Sequence, residues 1–350
     1  MKIVGCDLHT RYQQVAMLDR ETGELVERRL EHESGEARAF YAALSGPVQV
    51  GIEATGHTRW FERMLGELGH ELWIGDAAQI RASVVRKQKT DARDAAHILE
   101  LLLSERFPRI WRPTMAERDL RQLVWHRQKL VWMRNAVGNQ LHALAMGEGV
   151  CRKKKLFTKK GRAELESLGL GIWASYRRQE LLTMLDQLDA SLHEMDGAVA
   201  KQAEQNAAAV LLMTHPGVGP VTSLAFVLTL GPVERFERSK QVVSYLGLNP
   251  REHSSGGRQR LGAISKQGNP MMRSLLVEAG HTAARLDGEL RQDYQRLKLR
   301  RGSGVAKVAI ARKLAVRMYW MLRGPASYAQ LVRMQGSPRG TLVASKTSLA

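Results

Sequence analysis

Four carboxylates stand out by the sequences around them. Asp7 follows Val-Gly-Cys, Glu53 sits in Gly-Ile-Glu-Ala-Thr-Gly, and Asp91 and Asp94 share Lys-Thr-Asp-Ala-Arg-Asp-Ala. Singly, each acid has an ordinary reading: an Asp after a strand is usually a turn or cap residue, and Asp91 fits a helix N-cap. Together they suggest chemistry. Crowded carboxylates repel one another and raise each other's pKa, and a divalent cation resolves the conflict. Hard oxygen ligands suit Mg²⁺, as one ion or as two about 3.5–4 Å apart flanking an in-line phosphoryl displacement.

Such a site requires elements that bring the acids together. KIVGCDL (2–8), YQQVAMLD (12–19) and ELVERRLE (24–31) read as three strands joined by short turns, an antiparallel meander. A helix near 35–44, a buried strand at 48–54, a helix at 59–68, the strand ELWIG (71–75) and helical sequence to about 105 follow. Right-handed crossovers would add the last two strands in parallel, giving a five-stranded mixed sheet with helices on its faces. Asp7 and Glu53 then fall at the carboxyl ends of strands, where α/β sheets form sites. Asp91 and Asp94, three residues apart, share one helix face beside the sheet.

The formal net charge is +18. That excess points to a polyanionic partner, although a non-catalytic RNA-binding protein would carry it equally well. Two cysteines, Cys6 and Cys151, exclude a disulfide framework and a four-cysteine zinc site. No signal peptide opens the chain, and no segment reaches the roughly 20 apolar residues of a membrane span, so the expectation is a cytoplasmic protein with no membrane partner.

Pro108 and Pro113 close the first block. Helical sequence runs from 116 to about 146, a basic break includes Arg152–Lys155, and a further helix carries Leu181, Leu185, Leu188, Leu192, Met195 and Val199. Those steps of four and three fit either a core-facing helix or a coiled-coil contact between subunits. A third region, from about 207 to 322, opens on His215-Pro-Gly-Val-Gly-Pro and an apolar helix at 221–230; a loose tail is expected after it. The His215 segment resembles a helix-hairpin-helix turn, in which Gly217 and Gly219 would let backbone amides approach a phosphate; a tight turn between packed helices is the alternative. Three basic clusters are candidates for nucleic-acid contact: Arg81, Arg86, Lys87, Lys89 and Arg93; Arg152, Lys153, Lys154, Lys155, Lys159, Lys160 and Arg162; and Arg296, Lys298, Arg300, Arg301 and Lys307. Arg258 and Lys266 join them as single candidates. Trp60, Trp111, Trp125 and Trp132 can stack on unpaired bases or pack in the core. No helix presents an obvious base-reading face.

The motifs GCDLH, GIEATG, KTDARDA, HPGVGPVTS, LGLNPREHSSGGR and ISKQGNPMMRSLL, in that order, resemble the transposases of insertion-sequence family 110, recombinases guided by a structured bridge RNA. The resemblance covers roughly residues 1–325. It implies an α/β RNase H-like (RuvC-like) domain at 1–108, a helical and coiled-coil linker and oligomerisation region at 114–205, a mainly α C-terminal transposase domain at 206–325, and a flexible tail at 326–350. It further implies that Asp7, Glu53, Asp91 and Asp94 form a DEDD metal site, and that a serine forms a covalent phosphoserine link to a DNA end. The matching segment is Arg251-Glu-His-Ser-Ser-Gly-Gly, where Ser255, directly before Gly256, is the first choice and Ser254 the second. No Ser-His-Asp arrangement activates either, so the metal site, in another domain, is the expected activator. The implied partners are double-stranded DNA, a guide RNA and further copies of the chain, as a dimer or tetramer, in a bacterial or archaeal nucleoid. Two other readings stand beside this one: a RuvC-like endonuclease or junction resolvase using water as nucleophile, and a non-catalytic nucleic-acid-binding protein.

Overall fold

A computed structural model describes residues 1–84, 90–152, 155–253, 258 and 260–336. It divides into two units, Met1–Arg112 and Pro113–Ala350.

In the first unit, alternation of apolar and polar residues is realised as strands β1 (Lys2–Leu8), β2 (Tyr12–Asp19) and β3 (Leu25–Glu31). Helix α1 (Glu36–Ala42), strand β4 (Val48–Glu53), helix α2 (Arg59–Glu67), strand β5 (Glu71–Gly75) and helices α3 (Ala77–Ser83) and α4 (Asp91–Leu103) follow. The sheet order is β3-β2-β1-β4-β5. The first three strands pair antiparallel, and β4 and β5 are parallel to β1, which is the mixed sheet expected from the sequence.

Both faces of the sheet are covered, because successive side chains of a strand point to opposite sides. Val4, Cys6, Val50 and Ile52 pack with Tyr41 of α1 and with Phe61 and Leu65 of α2. Ile3 and Ala16 face the other way, against Ala95, Ile98, Leu99 and Leu102 of α4. Gly5 sets how close α4 comes. A Cβ there would lie 2.3 Å from the Ala95 carbonyl oxygen and 2.4 Å from the Leu99 nitrogen. Both are backbone atoms, so only glycine permits this approach. The helix carrying Asp91 and Asp94 therefore lies directly on the strand that carries Asp7 near its end.

The second unit is mostly helical. Helix α5 (Met115–Gly147) starts at a capping box in which Thr114 and Glu117 satisfy each other's backbone N–H groups. Helices α6 (Lys159–Glu166), α7 (Ile172–Glu204), α8 (Ala207–Met213), α9 (Pro220–Leu230) and α10 (Ser239–Tyr245) follow. A short hairpin of β6 (Pro250–Glu252) and β7 (Leu261–Ile264) precedes α11 (Pro270–Leu286), α12 (Gly288–Arg323) and α13 (Tyr328–Gly336). The α5–α7 pair is antiparallel: Arg127 meets Asp196 at 2.7 Å, and Arg134, seven residues on, meets Asp189. Leu181, Leu185, Leu192 and Val199 are buried within the chain, the first two with Leu141 and Ala145 of α5 and Val199 with Val124. The heptad-spaced stripe is thus taken up by the chain's own helices. Exposed Trp125, Trp132 and Met133 lie on other parts of α5.

Within the stretch from residue 326 expected to be a loose tail, Tyr328–Gly336 form α13, and residues 337–350 lie outside the described residues. Tyr328 holds that helix: its ring packs on His215, its hydroxyl donates to Asp287 and its backbone N–H donates to Thr214. No helix among the described residues is long and apolar enough to cross a membrane.

His215 has a pH consequence. Its side chain is buried, Nδ1–H donates to the Pro216 carbonyl at 2.8 Å, and Nε2 has no partner. Burial pushes its pKa down from 6.5 to about 4. As pH falls below 6.5, the unfolded chain gains a proton that the folded chain refuses, so stability drops until about pH 4 and then levels. The loss attributable to this group is about 3 kcal/mol. Urea unfolding of wild type and His215→Asn at pH 7 and pH 4 should show a smaller drop in the variant; equal drops would contradict the assignment.

Candidate active site

Asp7, Asp91 and Asp94 lie near one another at the carboxyl edge of the first unit's sheet, and Glu53 ends the neighbouring strand. Asp7 lies one residue before the end of β1, and its side chain is largely buried. It faces the α4 side, as Ile3 does. Thr90 caps α4 by accepting from the Arg93 N–H, so the helix begins at Asp91 and presents Asp91 and Asp94 in its first turn.

Asp7 and Asp91 are bridged by His9. Its Nε2 lies 3.1 Å from Asp7 Oδ2 and 3.6 Å from Asp91 Oδ2. Asp91 Oδ2 also accepts from the Tyr12 hydroxyl at 2.8 Å. Tyr12 is fixed in turn by its position at the start of β2 and by the Arg29 guanidinium 3.7 Å over its ring. Asp7, His9 and Asp91 each offer a ligand atom within 4.8 Å of the others, a group able to hold a metal ion.

The electrostatics agree with the geometry. Burial raises the Asp7 pKa above the ordinary carboxylate value; His9 opposes the rise, and Asp94 and Asp91 add to it by repulsion. Mutual repulsion of this kind is relieved when a cation binds between the acids. The donor set, mostly carboxylate oxygen, suits a hard divalent ion, with His9 as an additional nitrogen donor.

Glu53 ends β4, the parallel neighbour of β1, one step beyond the Cys6–Ile52 pair, and so reaches the same edge. Its carboxylate lies 3.9 Å from the Arg81 guanidinium. The structure thus brings Asp7 and Asp91 together, sets Asp94 near enough to repel Asp7, and places Glu53 on the adjoining strand end. His9 and Tyr12 are the residues that sequence reasoning missed. His9 stands two residues after Asp7, and on a turn just past a strand an imidazole at that spacing can reach back to the carboxylate.

The other nominated residues are placed as follows. Ser254, Ser255, Arg86, Lys87, Lys89, Lys153 and Lys154 lie outside the described residues. Arg258 is exposed beside the β6–β7 hairpin. Lys266, also exposed, adopts a left-handed backbone (φ 57°) just after that hairpin. Gly217 (φ 88°) lies against α11, where a Cβ would come within 2.5 Å of the Ala283 nitrogen, so packing accounts for this glycine. Gly219 caps α9 with open space around it. Lys155, Arg300 and Arg301 are exposed. Several neighbouring cations are already engaged: Arg152 by Glu164, Arg162 by Asp186 and Glu166, and Arg296 by Asp293.

Two family models match the chain. A DEDD transposase model of IS110 elements, described as "Transposase", covers residues 4–147, which include all four acids. A second, described as "Transposase IS116/IS110/IS902 family", covers residues 209–295. The chain belongs to the IS110 family of transposases. Among relatives, the "Probable family 20 transposase" of Pseudomonas aeruginosa is 29% identical over 334 residues, covering 91% of this chain and 96% of the relative. The "Transposase for insertion sequence element IS1111A" of Coxiella burnetii is 28% identical over 341 residues, 94% of this chain and 91% of the relative. A "Pilin gene-inverting protein" of Moraxella bovis is 29% identical over 125 residues, 35% of this chain and 38% of the relative. Membership of the IS110 family makes the chain an enzyme acting on DNA, and the acidic cluster lies inside its DEDD segment.

Proposed function

We propose that this IS110-family transposase cuts and exchanges DNA strands by phosphoryl transfer at the acidic edge of an RNase H-like domain. Asp7, Glu53, Asp91 and Asp94 would hold Mg²⁺, and Ser255, with Ser254 as the second choice, would be the nucleophile. The observation carrying the proposal is the convergence of Asp7 and Asp91 through His9, within the segment matched to DEDD transposases.

A divalent ion bound there supplies Lewis-acid stabilisation of the negative phosphoryl oxygens. The chain's part is to fix its ligands: Tyr12 holds Asp91, His9 spans Asp7 and Asp91, and Gly5 seats α4. The serine hydroxyl loses its proton as its oxygen bonds to phosphorus, one P–O bond of the strand breaks, and the departing strand oxygen takes up a proton to leave as a hydroxyl. The resulting phosphoserine diester keeps the energy of the original linkage, so the hydroxyl of another strand can displace the serine and complete exchange. Relatives named as transposases, and one named for inverting a gene, favour such an exchange over hydrolysis by water.

The +18 charge suits two polyanions, DNA and a structured bridge RNA that selects sites by base pairing. Arg81, Arg86, Lys87, Lys89, Lys153, Lys154, Lys155, Gly217, Gly219, Arg258, Lys266, Arg300 and Arg301 are the proposed contacts. The proposed organisation keeps the catalytic domain at 1–108, the helical linker at 114–205 and the transposase domain at 206–325, with a dimer or tetramer supplying enough sites for two duplexes.

The test is to incubate the purified protein, with its co-purifying RNA, and labelled element-end DNA in Mg²⁺ or EDTA. A covalent protein–DNA species that survives detergent and forms only with Mg²⁺ is the expected result. Strand cutting without any adduct would assign the water-dependent reaction instead.

A further inference from the structure

A second feature lies on the same sheet edge, on the side covered by α1 and α2. Strands β1 and β3 run in the same direction, since both pair antiparallel with β2. Glu31, at the end of β3, pairs with Tyr12, the residue that holds Asp91. The next residue, His32, donates its backbone N–H to the Arg11 carbonyl and sets Nδ1 3.3 Å from the Thr10 carbonyl. His32 is therefore tied to the same β1–β2 turn that carries His9.

Beside it is a cavity of about 330 Å³ lined by His32, Arg38, Trp60, Arg63, Met64 and Glu67. Trp60 is 39% exposed although its neighbour Phe61 is fully buried, so α2 is anchored by one ring and offers the other to solvent. The Trp60 and His32 rings meet at 4.6 Å with their planes 63° apart, and the indole keeps its exposed part towards solvent. Arg38 is paired with Glu67 at 3.0 Å, whereas Arg63 has no ionic partner among the described residues. Since a carbonyl accepts only from an N–H, the neutral His32 ring carries its proton on Nδ1. Its Nε2 is then a buried acceptor with no partner, an orphan of the kind that a bound polar group satisfies.

An indole with accessible π surface, an unpaired guanidinium and an unpaired acceptor around a nucleotide-sized cavity suit one ligand class. Aromatic rings stack on any base, and Arg neutralises the phosphate that follows it. We propose that this cavity holds a single unstacked nucleotide of a strand passing over the carboxyl edge, with its base on Trp60 and its phosphate on Arg63. The inference rests on the proposed nucleic-acid chemistry of that edge and adds a positioning subsite to it. Trp60 and Arg63 are positioning residues, with no part in bond breaking. DNA and RNA share the chemistry the cavity recognises, so deoxy and ribo strands form separate arms of the test.

The experiment uses the full chain with short single-stranded oligonucleotides carrying 5-iodouracil, one set deoxy and one set ribo. After irradiation and digestion, the expected crosslink maps to the peptide Trp60–Arg63, and the stronger arm identifies the strand. In fluorescence anisotropy, Trp60→Ala should weaken binding of that strand about tenfold while Trp60→Phe stays near wild type. Arg63→Gln should weaken binding and flatten its salt dependence. If wild type binds the strand but no crosslink falls on this peptide and Trp60→Ala binds as tightly, the subsite is wrong and the acidic site stands. A wild-type chain that binds neither strand would overturn both.

Discussion

Replacing Asp7 with Asn is expected to cut metal-dependent DNA strand cleavage about a thousandfold while leaving DNA affinity near wild type. A ligated cation supplies several kcal/mol of charge stabilisation in a phosphoryl transition state, and each ~1.4 kcal/mol is tenfold in rate. Losing about 4 kcal/mol of it gives that factor. Asn is nearly isosteric and keeps one acceptor oxygen for His9, so the edge should keep its shape. The stability change should run opposite to the activity change. Burial and neighbouring acids hold the Asp7 pKa above its ordinary value. Its favourable contribution therefore belongs to the protonated form, and it is lost as pH rises through the folded-state pKa. At neutral pH the ionised Asp7 costs stability, and Asn removes that cost. Thermal unfolding at pH 7 should find Asp7→Asn at least as stable as wild type. A variant that is inactive because it is unfolded, or active at wild-type rate, would contradict the role assigned to Asp7.

Ser255→Ala should abolish the covalent protein–DNA species, because the hydroxyl proposed to take the phosphoryl group is gone. Ser254→Ala should keep the adduct, at a rate changed by far less. The pair separates two hydroxyls adjacent in sequence, so a common loss of folding would appear in both variants. Adducts that persist in Ser255→Ala and vanish in Ser254→Ala move the nucleophile by one residue. Adducts that persist in both exclude the serine mechanism.

Much of the first unit was legible because its signals are local. Alternation in KIVGCDL and YQQVAMLD, and the short turns between strands, specify the meander without reference to distant residues, and strand direction places Asp7 and Glu53 at one edge. The spacing of Asp91 and Asp94 specifies a helix face in the same way. What could not be read depends on contacts between segments far apart in sequence. The Tyr12–Asp91 hydrogen bond joins residues in β2 and α4 and leaves no periodic trace. The closeness of α4 to β1 rests on Gly5, whose need for Gly appears only against the Ala95 and Leu99 backbone. Ion pairs within the basic clusters were hidden for the same reason. Arg152 and Arg162 stand among the candidates for nucleic-acid contact, and their carboxylate partners Glu164 and Asp186 come from later in the chain. The α13 helix was hidden by a Ser-, Gly- and Lys-rich composition around it, although Tyr328 and Leu331 supply large side chains that dock it.

The proposed chemistry requires the acidic edge to be a metal site, and binding of Mn²⁺ reports that without any turnover. Electron paramagnetic resonance during Mn²⁺ titration should find saturable bound ion in the wild-type chain, displaced by Mg²⁺. Affinity should fall sharply in both Asp7→Asn and Asp91→Asn. Bound Mn²⁺ that is unchanged in both variants, or a wild-type chain that takes up none, would contradict it.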